Sequence, residues 1–197
     1  MILASLSENK SIEKRVAITP DVVKKYISLG FKVQLIKNYA DHLGIKDKDY
    51  EQEGANIINN EDALISNSNA ILQMNILSDE NLNFLKQNQI LIGVLNPYSN
   101  KDKLESLTKK NIDCFSLELL PRITRAQSMD ILSSQANLAG YKAVVDSFAI
   151  FEKAIPMMMT AAGTISAAKV LVVGAGVAGL QAIATAKRMG AIVFSTD

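Results

Sequence analysis

The chain has 197 residues, enough for one or two domains. Its 21 basic and 20 acidic residues leave a formal net charge of +1, so it lacks the positive excess that nucleic-acid or anionic-membrane binding requires. The single cysteine, Cys114, excludes a disulfide framework, and its apolar neighbours predict a buried thiol rather than a nucleophile. Met1 leads directly into a short apolar run without the features of a signal peptide, so we expect a cytoplasmic protein.

Apolar runs and helix signals alternate over the first 116 residues. Thr19 and Pro20 predict a capped helix start, and Gly30 predicts its end. Ser78, followed by two acidic residues, predicts another helix start. Five short runs are typical of strands: Met1–Leu6, Phe31–Ile36, Ala70–Met74, Ile90–Leu95 and Ile112–Ser116. This alternation predicts a doubly wound parallel α/β domain over residues 1–125.

A long helix is predicted next, from about Ala126 to Phe151, with Pro156 ending the segment. A stripe of mostly small residues recurs along it at helical spacing, formed by Met129, Leu132, Ala136, Ala139 and Ala143. We expect this stripe to pack tightly against a neighbour. Residues 126–156 are therefore predicted to connect two α/β domains, and a cleft between such domains is a common place for a ligand.

The segment Val170–Gly179 predicts a strand that turns through three glycines into a helix, the GxGxxG pattern of a dinucleotide-binding fold. In that pattern Gly174 permits the tight turn, Gly176 lets a pyrophosphate approach the backbone, and Gly179 lets helix and strand pack closely. A second strand, Ala191–Ser195, ends at Thr196 and Asp197, where the pattern places an acceptor for the adenosine ribose. Because Lys169 and the glycines interrupt the apolar stretch, no membrane-spanning helix is expected.

Residues 160–197 are thus predicted to begin a second parallel domain. Two strands and one helix cannot cover both faces of a parallel sheet. We therefore expect this second domain to be incomplete, and the chain to be a fragment or one piece of a split polypeptide.

A polar segment follows the last predicted strand of the first domain, from Pro121 to Asp130, and Ser133 lies one turn further on. Gln127, Asp130 and Ser133 share one face at helical spacing. One interpretation is a helix start capped by Thr124 with solvated neighbours. The other is a ligand site, because open α/β sheets bind ligands at the carboxyl ends of their strands. In that case the Gln127 amide would meet a carboxamide, and Arg122 or Arg125 a phosphate.

Two stretches resemble the alpha subunit of proton-translocating nicotinamide nucleotide transhydrogenase: PRITRAQSMDILSSQANLAGYKA from Pro121, and PMMMTAAGTISAAKVLVVGAGVAGLQAIATAKRMGA from Pro156. Residues Arg15–Pro20 are shared more broadly with alanine dehydrogenases. The resemblance implies an NAD(H)-binding component that holds NADH against NADPH carried by another component, while a membrane component couples hydride transfer to proton translocation. It also implies a homodimer in the cytoplasm, peripheral to the inner membrane through its partner subunits.

The resemblance further implies the site. Arg122, Gln127, Asp130 and Ser133 would position the nicotinamide end of NAD, Arg125 would contribute to cofactor binding, and Asp197 would take the adenosine ribose and disfavour a 2′-phosphate. The remaining implied cofactor contacts form the pyrophosphate loop and its neighbour: Gly174, Ala175, Gly176, Val177, Ala178, Gly179 and Thr196. No acid, base or metal ligand is expected, because hydride transfer between two nicotinamides needs only alignment.

Two alternatives remain at this level. An alanine dehydrogenase-like enzyme would need a lysine where Gln73 stands and a histidine after the strand Ile90–Leu95, where the chain has Asn96. A non-catalytic nucleotide-binding module or fragment would need neither. Three features are interpreted as structural rather than functional. These are Arg15 as an ion pair or helix-terminus contact, His42 as a loop residue, and Met157–Met159 as core filler.

Overall fold

A six-stranded parallel sheet organises residues 1–120 in the computed structural model, which describes the whole chain, residues 1–197. The strand order is β3-β2-β1-β4-β5-β6, and every neighbouring pair is parallel. The strands are β1 (Ile2–Ser5), β2 (Lys32–Ile36), β3 (Asn56–Ile58), β4 (Ala70–Asn75), β5 (Ile90–Val94) and β6 (Asp113–Ser116). The order reverses direction between β1 and β4, which makes the carboxyl ends of these two strands the switch point of the sheet.

Helices connect these strands, as the alternating pattern predicts. They are α1 (Pro20–Ser28), α2 (Asp47–Gln52), α3 (Glu61–Ser66), α4 (Asp79–Asn83) and α5 (Lys101–Lys109), with short 3₁₀ helices at Asp41–Leu43 and Leu117–Leu119. The sheet core is aliphatic, and Val33, Leu35, Ile71 and Leu91 are fully buried. Burial on both faces of the central strands is what a parallel sheet requires.

The predicted helix starts of this unit have different outcomes. Ser78 caps α4 as predicted, because its hydroxyl accepts the backbone N–H of Asn81 at 3.2 Å. Thr19 precedes α1, but its side chain makes no capping hydrogen bond; its carbonyl accepts from the N–H groups of Val22 and Val23 instead. The prediction of a buried thiol is wrong, since Cys114 lies exposed on β6, at one end of the strand order. Partial desolvation, and then the charge of Asp113, raise the pKa of this thiol, which disfavours the thiolate.

Residues 121–197 form the second compact unit. A 3₁₀ helix at Thr124–Met129 leads into the long helix α6 (Ile131–Ile150). An antiparallel hairpin follows, made of β7 (Met158–Thr160) and β8 (Gly163–Ile165). The glycine motif then lies between β9 (Lys169–Val173) and α7 (Val177–Arg188), and β10 (Ile192–Thr196) pairs with β9 in parallel.

The long helix is shorter than predicted at both ends. It begins at Ile131 rather than Ala126, because Asp130 caps it and the preceding residues form the tighter 3₁₀ turn. It ends at Ile150 rather than near Pro156, because Phe151 adopts extended backbone angles. Residues 151–157 contain no helix or strand and lead into the hairpin. The helix belongs to the second compact unit.

The prediction that Met157–Met159 fill a core is wrong. All three side chains are exposed, and two of them belong to the first strand of the β7–β8 hairpin. One face of the β9–β10 pair is also open, with Leu171, Val173 and Phe194 more than half exposed. This open face follows from the geometry expected of two strands and one helix. No helix of the structure combines the length and apolar character needed to cross a membrane.

Candidate functional site

The loop between β9 and α7 has the geometry that its three glycines were expected to provide. Gly174 adopts φ +96°, a left-handed conformation that favours glycine. A Cβ on Gly179 would lie 1.8 Å from the carbonyl oxygen of Gly174, so only glycine fits there. A Cβ on Gly176 would meet nothing within 4 Å, and its φ of −66° suits any residue. The missing side chain at Gly176 therefore keeps space open rather than relieving strain.

Helix α7 presents its N-terminus to this open space. Gly176 is the N-cap and supplies no side chain to its first N–H groups, while its carbonyl accepts the Leu180 N–H at 2.8 Å. The N–H groups of the first turn therefore have no intrahelical partners, and the helix dipole adds positive potential at the same point. Together these features form a site for an anion.

The end of β10 is tied to the same loop. The carbonyl of Thr196 accepts the Gly174 N–H at 2.8 Å. One carboxylate oxygen of Asp197, Oδ1, accepts the N–H of Ala175 at 3.1 Å. Asp197 is exposed, and its Oδ2 forms no hydrogen bond within the chain. An acceptor for a ligand hydroxyl thus lies next to the anion site.

Asp130 and Ser133 fix the start of α6. The Asp130 carboxylate accepts the Ser133 N–H at 2.9 Å and the Ser133 hydroxyl at 2.6 Å. These two hydrogen bonds, and to a lesser degree the charge of Arg122, hold the pKa of Asp130 below its ordinary value. Asp130 is therefore ionised near neutral pH. The prediction that Thr124 caps this helix is wrong, because Thr124 opens the preceding 3₁₀ helix and Asp130 is the cap.

Helices α6 and α7 approach each other closely. A Cβ on Gly140 of α6 would lie 2.0 Å from the carbonyl oxygen of Ala178, in the first turn of α7. One turn earlier on α6, Asn137 Nδ2 donates to Oε1 of Gln181 at 3.2 Å. Of the α6 residues only Gly140 and Val144 are buried, so the predicted stripe of small residues identifies the packing face only in part.

Three adjoining pockets join the polar segment to the glycine loop. The first, of about 400 Å³, is lined by Arg122, Leu132, Ser133 and Ala136 on one side and by Val173, Gly174 and Gly176–Gly179 on the other. The second, also about 400 Å³, is lined by Gln127–Ile131, Ser133, Ser134, Asn137 and Val177. The third, of about 290 Å³, is lined by Arg122–Thr124, Gln127 and Asp130.

Shared lining residues make these pockets one continuous groove. Ser133 and Val177 line the first two pockets, and Arg122 lines the first and third. Nine of the thirteen predicted site residues line the groove, and Ala175, Thr196 and Asp197 adjoin it through the hydrogen bonds described above. Arg125 is exposed and lines none of the three pockets.

Sequence reasoning missed several residues of this groove. Leu132 and Ala136 were assigned to packing, yet both line the pocket beside the glycine loop. Asn137 lies four residues after Ser133, and this helical spacing would have identified it. Gly140 carries no such signal, because its importance depends on a close contact with another helix.

Two polar residues of the first unit have structural roles. The guanidinium of Arg15 donates to both carboxylate oxygens of Glu13, from Nε at 2.8 Å and from Nη2 at 2.5 Å, which confirms the ion-pair interpretation. His42 Nε2 lies 2.7 Å from the carbonyl oxygen of Lys14, in the 3₁₀ helix Asp41–Leu43.

Comparison with known proteins identifies the family. The first of the split alpha-subunit chains of NAD(P) transhydrogenase from Rickettsia prowazekii (strain Madrid E) is 46% identical over 201 residues, which cover 100% of this chain and 52% of the relative. The protein of the same name from Rhodospirillum rubrum is also 46% identical, over 100% of this chain and 53% of its own length. The chain thus spans about half the length of these curated relatives.

The crystal structure of transhydrogenase from Sinorhizobium meliloti superposes with a TM-score of 0.95 at 44% identity, covering 100% of this chain and 59% of that one. Residues 5–139 match the family model described as alanine dehydrogenase/PNT, N-terminal domain, and residues 143–197 match its C-terminal domain. The chain therefore belongs to the alanine dehydrogenase/PNT family.

Proposed function

We propose that this chain is the NAD(H)-binding component of a transhydrogenase that transfers hydride between NADH and NADP⁺. The observation that carries this proposal is the continuous groove, in which Arg122 and Ser133 face the glycine loop. One extended dinucleotide can reach both ends of such a groove. The names of the similar proteins, transhydrogenase alpha subunits, support the same activity.

The roles follow from the chemistry of each group. The N–H groups at the start of α7, with Gly176 keeping the approach open, bind the pyrophosphate. The free oxygen of Asp197 accepts the adenosine ribose hydroxyls, and its charge repels a 2′-phosphate, which favours NAD over NADP. Gln127 and the Asp130–Ser133 pair position the nicotinamide end, while Arg122 meets a phosphate. Arg125, which lies outside the groove, is assigned no direct contact.

Direct hydride transfer fits the groups in the groove. The hydride leaves one nicotinamide ring and joins the other, so no protein group has to gain or lose a proton. The hydrogen bonds from Ser133 keep Asp130 ionised near neutral pH, so it does not act as a general acid. The protein contributes alignment, which is the main requirement of such a reaction.

An alanine dehydrogenase activity is disfavoured by the first unit. Gln73 stands where that activity needs a lysine, and its side chain is committed to Ser5 and Leu6. Asn96 occupies the loop after β5 where a histidine is needed, and its N–H donates to Glu118. Neither residue can bind a keto group as a cation or shuttle a proton.

The wider assembly belongs to the same proposal. NADP(H) would be carried by a partner component, and a membrane component would couple the transfer to proton translocation. The chain would act as a homodimer in the cytoplasm, held at the inner membrane through these partners. The boundaries proposed for its segments are 1–125, a connecting helix segment at 126–156, and 160–197 as the start of the NAD-binding domain.

The test combines binding with isotope transfer. NADH titrated into the chain should give a saturable change in NADH fluorescence, and Arg122→Ala should weaken it about tenfold while Arg125→Ala leaves it unchanged. With the partner components present, deuterium on C4 of NADH should appear on NADPH without loss to water. Transfer with solvent exchange, or NAD⁺ reduction that depends on alanine, would contradict the proposal.

A further inference from the structure

A second cleft lies in the first unit, at the carboxyl ends of β1 and β4. Its volume is about 620 Å³, and its lining includes Glu8, Glu13, Glu61, Gln73, Asn75 and Lys103. The strand order reverses between β1 and β4, and open α/β sheets bind ligands at this switch point. The cleft has the size of a small-molecule site.

Gln73 offers this cleft an unused hydrogen-bond donor. The residue is only 5% exposed and lines the cleft. Its Oε1 accepts the Leu6 N–H at 2.8 Å and the Ser5 hydroxyl at 3.0 Å, whereas its Nε2 donates to no protein group. The orientation of the amide is fixed, because the Leu6 N–H can only donate and so must face the oxygen. A buried amide donor without a partner is costly unless a ligand accepts from it.

The charges of the cleft favour a cation. Glu13 is paired with Arg15, and Lys103 is paired with Asp79 at 2.7 Å, so these charges are largely compensated. Glu61 accepts only from the neutral amide of Asn81 among side-chain partners. Glu8 accepts the Met74 N–H at 2.7 Å and the Asn75 amide at 3.3 Å, and it forms no ion pair. The uncompensated charges are therefore both negative.

Glu8 is the more enclosed of these two carboxylates. Burial is the main cause that raises its pKa, and the charge of Glu13 adds to the effect. The guanidinium of Arg15 feels the charge of Glu8, but its hydrogen bonds go to Glu13. An ammonium group placed in the cleft would relieve the desolvation of Glu8.

We propose that this cleft binds a small organic cation whose ammonium group meets Glu8 and whose oxygen accepts a hydrogen bond from Gln73. The site is separate from the groove of the second unit, and its ligand has the opposite charge to a keto acid. The proposal does not depend on the proposed transhydrogenase function, because all the residues that carry it belong to residues 1–120.

The test uses NMR of the isotope-labelled 197-residue chain near neutral pH with four probes. Glycinamide carries both an ammonium group and a carbonyl, acetamide only the carbonyl, ethylammonium only the charge, and pyruvate a negative charge. Glycinamide should shift the Gln73 side-chain amide and the backbone N–H groups of Met74 and Asn75. The three other probes should bind at least about tenfold more weakly.

Glu8→Gln is the decisive variant, because it keeps an oxygen acceptor for Met74 while removing the charge. It should weaken glycinamide binding about tenfold, whereas the control Glu80→Gln, on α4 outside the cleft lining, should change nothing. Preference for pyruvate or acetamide, equal binding by Glu8→Gln, or no shift of any cleft residue with any probe would each overturn the proposal.

Discussion

The carboxylate of Asp197 accepts the backbone N–H of Ala175 at 3.1 Å, which joins the end of β10 to the middle of the glycine loop. The residue that would select the ribose is thus also a support of the pyrophosphate loop. Only one of its oxygens is used in this way, so the other remains available to a ligand.

Asp197→Asn separates these two roles. The asparagine oxygen can still accept from Ala175, so the loop should keep its shape while the negative charge is lost. We expect NADH affinity to fall about tenfold and NADPH binding to become detectable, because repulsion of the 2′-phosphate disappears. Parallel calorimetric titrations with NADH and NADPH measure both effects. Unchanged discrimination between the two nucleotides would contradict the role of Asp197.

Gly176→Ala should fold normally and bind poorly. A Cβ at this position meets no protein atom within 4 Å, so the free energy of unfolding should be unaffected, but the methyl group enters the space through which a phosphate approaches. Gly179→Ala is the matched contrast. Its Cβ would lie 1.8 Å from the Gly174 carbonyl oxygen, so it should lower the free energy of unfolding by about 1–3 kcal/mol.

Thermal unfolding and NADH titration of both glycine variants test this division. If Gly176→Ala destabilised the fold as much as Gly179→Ala, the open space at Gly176 would not be a binding space.

Gly140→Ala tests whether the contact between α6 and α7 supports the groove. The added Cβ would lie 2.0 Å from the Ala178 carbonyl oxygen, so one helix must shift at a cost of about 1–3 kcal/mol. Because Ala178 lines the groove, NADH affinity should fall together with the free energy of unfolding. Ala139→Ser, at an exposed neighbouring position, serves as the control and should leave both quantities unchanged.

Ser133→Ala should raise the pKa of Asp130. The hydroxyl hydrogen bond of Ser133 is the largest cause that lowers this pKa, and the backbone N–H of the same residue remains in the variant. A carboxyl group whose pKa is lowered by folding stabilises the fold above its unfolded pKa, and this contribution is lost as the pH falls through the folded value.

The variant should therefore gain less stability than the native chain between strongly acidic and neutral pH. Carboxyl-carbon NMR titration of Asp130 in both proteins measures the shift directly. An identical pKa in the two proteins would mean that the side-chain hydrogen bond is absent in solution.

The sequence predicts features that depend on local pattern, and it misses those that depend on contacts between elements. Apolar runs locate five of the six strands of the first sheet, because each is long enough to stand out; β3 has three residues beside two asparagines and does not. Ser78 is recognisable as a cap because the acidic residues after it reinforce the signal. Asp130 is less visible, because it follows a 3₁₀ turn that resembles the start of the helix itself.

The site was predictable to a similar degree and for the same reason. The glycine spacing specifies its loop from sequence alone, and the spacing of Gln127, Asp130 and Ser133 predicts a shared face. Arg125 has the same charge as Arg122 and differs only in direction, which the sequence does not encode locally. The role of Gly140 needs the neighbouring helix, and the exposure of Cys114 needs the strand order.

The most direct test of the account is an NMR titration of the chain with NADH and with ADP-ribose, which lacks the nicotinamide. The account predicts that NADH shifts the N–H signals of Gly176 and Val177 and the side-chain amide of Gln127 with a single dissociation constant. ADP-ribose should shift the loop signals alone. Loop signals that respond to NADH while Gln127 does not, or two distinct dissociation constants, would contradict the claim that one dinucleotide occupies the whole groove.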